Sequence, residues 1–141
     1  MFPHLIQGGR HTDDRGSVSF VNGFDFKGVD RFYWVHAGHA EAARGWVGHQ
    51  REHKWFAVIL GKVMVAVVRP DNWQCPRRDL AVERFTLSAA IPQVLHVPPG
   101  HATASMHLNP EAILMIFSSG RIEDAQNDDF RFPVGHWPIH P

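Results

Sequence analysis

The chain has 141 residues, and its 14 Lys and Arg balance its 14 Asp and Glu, so the formal charge is zero with neutral histidines. Hydrophobic residues make up 44% and charged residues 20%, which excludes a disordered or collagen-like chain and fits one domain, residues 1–141, with a core of its own. The charge balance offers no basic footprint for nucleic acid, no apolar run approaches the roughly 20 residues that span a bilayer, and a lone cysteine, Cys75, forbids an internal disulfide. The first ten residues lack a charged leader followed by an apolar region, so no signal peptide is expected and the protein is read as cytoplasmic.

In chain order the pattern is mostly β. Ser17–Asn22 alternates between Gly16 and Gly23, and Arg31–His36 is aromatic and β-branched. Trp55–Leu60 and Lys62–Val68 flank Gly61 as two strands around a tight turn, and Arg69-Pro-Asp-Asn is turn chemistry. Ala81–Leu87, Gln93–Val97 and Ala112–Ser118 complete the predicted strands, the second of them ending in Pro98-Pro99-Gly100. No segment keeps a 3.6-residue apolar period for three turns; His39–Ala43 and Ile122–Asp128 are the short helix candidates. Strands at this spacing, with Gly- and Pro-rich turns, predict an antiparallel sandwich or barrel whose inward residues line one ligand-sized cavity. The segment after residue 132 reads as an arm.

The densest chemistry lies in Arg44-Gly-Trp-Val-Gly-His49-Gln-Arg-Glu52-His53-Lys54. If this stretch is extended, residues 47, 49, 51 and 53 share a face, unless Gly48 marks a bulge. His49, His53 and Glu52 then suit either a transition metal or a metal-free acid–base pocket in which Arg and Lys bind an anion. A solvated strand without a role is the third reading. His101, just after the Pro-Pro-Gly turn, is placed at the cavity mouth. His4, His11, His39, His136 and His140 are assigned no role, nor is the Cys75 thiol. Trp55 is assigned to the core, and the acidic run Glu123–Asp129 to a solvated helix or turn.

Asp14-Arg15-Gly16-Ser17, Arg31-Phe-Tyr33-Trp-Val, Arg44-Gly45, Lys54 to Gly61, Val97-Pro-Pro-Gly100 and Asn109 to Ser119 follow one another in a known order. Together they resemble the cupin-fold enzymes of deoxysugar nucleotide biosynthesis: the dTDP-4-keto-6-deoxyhexose 3,4-ketoisomerases and, more distantly, the dTDP-4-dehydrorhamnose 3,5-epimerases. The resemblance covers about residues 13 to 132. It implies an all-β double-stranded β-helix (cupin) jelly roll with only short helices, a homodimer, a nucleotide-sugar substrate, and proton transfer beside a ketone without metal or other cofactor. It also implies roles: Arg15 and Arg44 on the diphosphate, Lys54 and Tyr33 in the pocket, His49 as proton-transfer residue with His53 as its understudy.

Two departures stand out. The histidine usually assigned as base falls at Val47, and Gly120-Arg121-Ile122 stands where a tyrosine pair belongs. A non-catalytic nucleotide-sugar or carbohydrate-binding relative, or a metal-dependent cupin enzyme, is the alternative these departures leave open.

Overall fold

The computed structural model describes all 141 residues. Twelve strands form: β1 (His4–Gln7), β2 (Gly9–Asp13), β3 (Gly16–Phe20), β4 (Arg31–His36), β5 (Ala43–His49), β6 (Lys54–Leu60), β7 (Lys62–Val68), β8 (Glu83–Ser88), β9 (Gln93–Val97), β10 (His101–His107), β11 (Ile113–Ser118) and β12 (Phe130–Arg131). A one-turn helix, α1 (Ile122–Ala125), and a 3₁₀ turn, Gln126–Asp128, precede β12. No helix is long and apolar enough to cross a membrane.

Two five-stranded antiparallel sheets face each other, in the orders β1-β9-β6-β11-β4 and β12-β5-β10-β7-β8, while β2 and β3 form a separate hairpin. The jelly-roll sandwich expected from the sequence is therefore present. Between the sheets, alternate residues of β6, β7, β9 and β11 (Phe56, Val63, Val65, Val67, Leu95, Val97, Leu114 and Ile116) make one apolar core. That alternation follows from the period of two along a strand.

A second core lies on the back of the β5–β10–β7 sheet. Trp46, Met64, Ala66, Val68, Ala102, Ala104 and Met106 are covered there by Trp137 and Ile139. The C-terminal arm is thus docked. The Trp46 indole N–H donates to the Trp137 carbonyl at 3.2 Å, and the Arg84 guanidinium reaches the carbonyls of Pro138, Ile139 and His140.

Three local expectations change. His39–Ala43 is a turn, with Glu41 at φ 62°, and not a helix. The register shift in β5 falls opposite Thr103 and Ala104, around Trp46, and not at Gly48. Gly48 instead makes room for Trp73, whose ring a Cβ there would meet at 2.5 Å. Trp55 is buried, but on the outer face of the first sheet, edge-on to Phe24 and parallel to His53 and His96.

His53 and His96 share one N–H···N hydrogen bond, Nδ1 to Nε2 at 2.9 Å. Such a bond holds one bridging proton. Burial, the nearby His53 and then His4 push the His96 pKa down to about 4, and burial lowers that of His53. An unfolded His96 titrates near 6.5, so the unfolded chain binds more protons between the two values. The stabilisation is complete above about pH 6.5 and is lost as pH falls from there through about 4, by up to about 3 kcal/mol. Thermal melts at pH 7.5, 5.5 and 4 check this: the wild type should lose more of its Tm over that range than His96→Gln, and equal losses would show that the pair does not titrate as described.

Candidate active site

The apolar core fills only part of the space between the sheets. The rest is a cavity of about 900 Å³. It opens between β4, the edge of the first sheet, and the β5–β12 edge of the second. β4 and β6 supply Arg31, Tyr33 and Lys54; β5 supplies Arg44, Val47 and His49. Thr103 and Ser105 of β10 form the back wall, and the segment from Ile122 to Arg131 forms the rim.

The cavity depends on the corner between β5 and β6, where the chain crosses from one sheet to the other. The Asp128 carboxylate accepts the backbone N–H groups of Gln50, Arg51 and Glu52 at 2.7, 3.0 and 2.9 Å. This clamp breaks the strand alternation expected across residues 47 to 53. His49 and Glu52 turn inward, and Lys54 starts β6 with its side chain inside. Asp128 is 5% exposed, so the acidic run that the sequence assigned to a solvated helix or turn contains a buried clamp. Its position before β12, 76 residues from Glu52, gave no sequence signal.

Glu52 sits at the centre of the buried charge. Its Oε1 accepts from the Arg31 guanidinium at 2.8 Å and lies 3.6 Å from Lys54 Nζ. Its Oε2 has no well-aligned donor, but is 3.1 Å from His49 Nδ1. Lys54 Nζ also donates to Ser118 Oγ at 2.6 Å and to Tyr33 Oη at 3.0 Å.

These contacts fix the state of His49. Its Nδ1 lies 2.7 Å from the Asp128 carbonyl oxygen and 3.1 Å from Glu52 Oε2. Both neighbours only accept, so Nδ1 carries the proton and Nε2 keeps a lone pair on the cavity side. Burial, and secondarily the positive charge of Lys54, lower the His49 pKa below its usual value. The ring is therefore neutral at neutral pH, as a general base must be.

Three other sequence candidates, His53, Arg15 and His101, lie elsewhere. His53 points to the outer face of the first sheet, with its backbone N–H on Ser119 Oγ and its ring on His96. Arg15 is at the tip of the β2–β3 hairpin, 85% exposed along its side chain and paired with Asp13 at 2.7 Å, outside the cavity wall. His101 is buried beside His49 across the β5–β10 ladder, with Nδ1 donating to the Pro98 carbonyl at 2.9 Å, and does not line the cavity. Arg44 lines it and makes no ion pair within the chain. Arg31 was legible only as part of a strand motif, and Glu52 only as a metal ligand.

The metal reading fails on its donors. His49, Glu52 and Asp128 lie close enough to share an ion. However, both Asp128 oxygens are taken by backbone N–H groups, Glu52 Oε1 is taken by Arg31, and the His49 nitrogen that faces the two carboxylates, Nδ1, carries a proton. Two cations already occupy the surroundings of Glu52, so a divalent ion there would face repulsion in place of free ligands.

No protein-family model and no curated protein matches the chain. Solved structures do. A dTDP-4-dehydrorhamnose 3,5-epimerase from Bacillus anthracis, with TDP and pyrophosphate bound, has a TM-score of 0.74 at 19% identity, over 99% of this chain and 86% of that one. A 3,4-ketoisomerase from Helicobacter canadensis gives 0.73 at 15% identity, over 94% and 92%. A sugar 3,4-ketoisomerase from Thermoanaerobacterium thermosaccharolyticum, in complex with TDP, gives 0.71 at 16% identity, over 95% and 90%. At these identities the likeness is one of fold: the chain has the jelly roll that those isomerases and epimerases use.

Proposed function

We propose that the protein is a sugar-nucleotide isomerase or epimerase that acts on a dTDP-4-keto-6-deoxyhexose by metal-free proton transfer beside the ketone. The observation that carries this reading is His49, held as the Nδ1–H tautomer with Nε2 free, inside a cavity walled by Arg31, Arg44 and Lys54. The ketone acidifies the neighbouring C–H. His49 Nε2 takes that proton, and the electron pair moves into an enolate whose oxygen needs a positive partner. Lys54 Nζ supplies one in a largely desolvated site, where such charge stabilisation is strongest. The resulting imidazolium is stabilised by Glu52. Arg44, free of any protein carboxylate, suits a diphosphate, which a planar guanidinium can grip through two oxygens. Val47 contributes only apolar wall, so His49 is the one imidazole lining the cavity.

The neighbours of similar fold include proteins solved with TDP, which supports a nucleotide-sugar ligand here. Incubation with dTDP-4-keto-6-deoxyglucose in deuterated water is the test. Deuterium should enter a carbon next to the ketone in the presence of protein alone. TDP binding without any exchange would instead identify a binding protein that lacks turnover.

The same reading includes a homodimer. The outer face of the first sheet carries a strip of Phe32, Trp34, Phe26 and Phe117, with Phe32 58% and Trp34 54% exposed; its rings pack on one another at 5.9 to 6.2 Å. An apolar patch of this kind favours a self-complementary interface. Light scattering should give a mass near twice that of the chain, and Trp34→Glu should shift it to the monomer; a wild-type monomer at micromolar concentration would remove the dimer. A cytoplasmic setting belongs to this reading too, in keeping with a single, exposed, unpaired cysteine.

A further inference from the structure

We propose that the Asn22–Gly23 pair is a site of spontaneous covalent modification, where Asn22 converts to isoaspartate and loosens the aromatic packing anchored by Phe24. The pair lies in segment 21–30, which joins β3 to β4 and contains no strand. The Phe24 N–H donates to the Val21 carbonyl at 3.2 Å, so Asn22 and Gly23 are the central residues of a β-turn. In a hairpin, Asn-Gly serves a turn with positive φ at both positions; neither residue has a positive φ here. The backbone therefore does not demand this glycine. What the glycine supplies is a bare nitrogen: no Cβ shields its N–H, and that N–H donates to no carbonyl of the protein. Asn22 is exposed, with its carboxamide free to turn toward that nitrogen.

No other asparagine of the chain combines these features. Asn72 Oδ1 is held by the N–H groups of Gln74 and Cys75 at 2.9 and 3.0 Å. Asn109 Oδ1 accepts from the Lys62 N–H at 2.8 Å, and Pro110 after it has no N–H to react. Asn127 lies in the 3₁₀ turn and precedes Asp128, whose carboxylate is fixed by three backbone N–H groups. Asparagine is a thermolabile residue in general; here the lability is concentrated at one position.

The step balances with water as its only co-reactant, and nothing is oxidised or reduced. The Gly23 nitrogen gives its proton to water and attacks Asn22 Cγ. The bond from Cγ to the side-chain nitrogen breaks, ammonia leaves, and a succinimide ring closes. Water then opens the ring. Attack at Cγ gives aspartate, and attack at the main-chain carbonyl gives isoaspartate, whose backbone runs through Cβ and Cγ and is one methylene longer. The longer path breaks the turn between Val21 and Phe24. Phe24 ties this segment down: its ring lies 5.1 Å from Phe117, 6.0 Å from Trp55 and 4.7 Å from Phe26. Phe26 and Phe117 belong to the strip assigned above to the homodimer, so on that reading the modified chain also dimerises less tightly.

The experiment holds the purified full chain in mildly alkaline buffer and samples it over days by peptide mass mapping. An isoaspartate-specific carboxyl methyltransferase with a labelled methyl donor identifies the product. The peptide containing Asn22 should exchange NH2 for OH and accept the methyl label, while the peptides of Asn72, Asn109 and Asn127 lag behind. Gly23→Ala keeps the turn, since its Cβ would meet only Ile6 Cγ2 at 3.4 Å, and it should lose the conversion over the same interval. The isoaspartate form, separated by its added negative charge, should melt below Asn22→Asp, which carries that charge on a backbone of normal length. Conversion at Asn22 no faster than at Asn72 or Asn127, or equally fast in Gly23→Ala, would overturn the site. An isoaspartate form that melts together with Asn22→Asp would overturn the loosening. A monomeric wild type would remove the dimer reading and its consequence, while the mass mapping still decides the site; neither result depends on the proposed catalytic chemistry.

Discussion

Replacing His49 with alanine is expected to reduce turnover and solvent exchange together by about 10²–10⁴-fold, the usual contribution of a positioned acid–base group. No second imidazole lines the cavity. TDP binding should change little, because the proposed function assigns His49 to the sugar carbon and Arg44 to the diphosphate. The pH profile gives an independent reading. His49 must be neutral to act, and burial together with Lys54 lowers its pKa. Activity should therefore fall on the acid side only below pH 6.5, the ordinary histidine value. An acid limb at or above that value, or turnover that survives His49→Ala, would take His49 out of the chemistry.

Glu52 is the second position where a large effect is expected, and it acts on stability as well as on rate. Its carboxylate lies among Arg31, Lys54 and His49, with 5% of its side chain exposed. Glu52→Ala leaves two inward-facing cations without their counter-charge. Breaking a buried pair in this way costs about 3–5 kcal/mol, and in a domain of this size each kcal/mol lowers Tm by roughly 2–4 °C or slightly more. Denaturant or thermal melts measure this directly, and a loss below about 1 kcal/mol would show that the charges relax into water.

Glu52→Gln keeps the shape and removes the charge. The Glu52 charge raises the His49 pKa against the stronger effects of burial and Lys54, so its removal lowers that pKa further. The acid limb of the profile should move to lower pH while the maximal rate drops, because the imidazolium loses its partner. A purely structural Glu52 would lower the rate without moving the limb. Glu52→Asp, which restores the charge, should recover part of the shift.

The sheets were legible where burial on one face imposes alternation. β4, β6, β7, β9 and β11 lie within a residue or two of the expected segments. β10 was not legible, although it pairs with both β5 and β7. Its inner face carries His101, Thr103, Ser105 and His107, and its outer face Ala102, Ala104 and Met106, so hydropathy contrast is weak on either side. The same mixture makes it a cavity wall.

At the site, His49, Lys54, Tyr33 and Arg44 meet in the cavity. Sequence order and resemblance pointed to these four. What could not be read is the corner that separates His49 from His53. Strand periodicity puts both on one face, and the Asp128 clamp turns the chain so that they end on opposite sides of the first sheet. Glu52 and Arg31 were hidden for a related reason: each is a charged residue whose burial is set by a partner 21 residues away, and periodicity carries no information about such pairs.

A crystal structure of the protein with a dTDP-linked 4-keto sugar, or with a reduced analogue that cannot react, tests the site most directly. The diphosphate should lie against Arg44, the hexose between the two sheets, and the C–H beside the ketone within about 3–3.5 Å of His49 Nε2, the separation of a reacting pair. A ligand bound on the outer wall near His53 and His96, or one in the cavity with its sugar turned away from His49, would contradict the assignment.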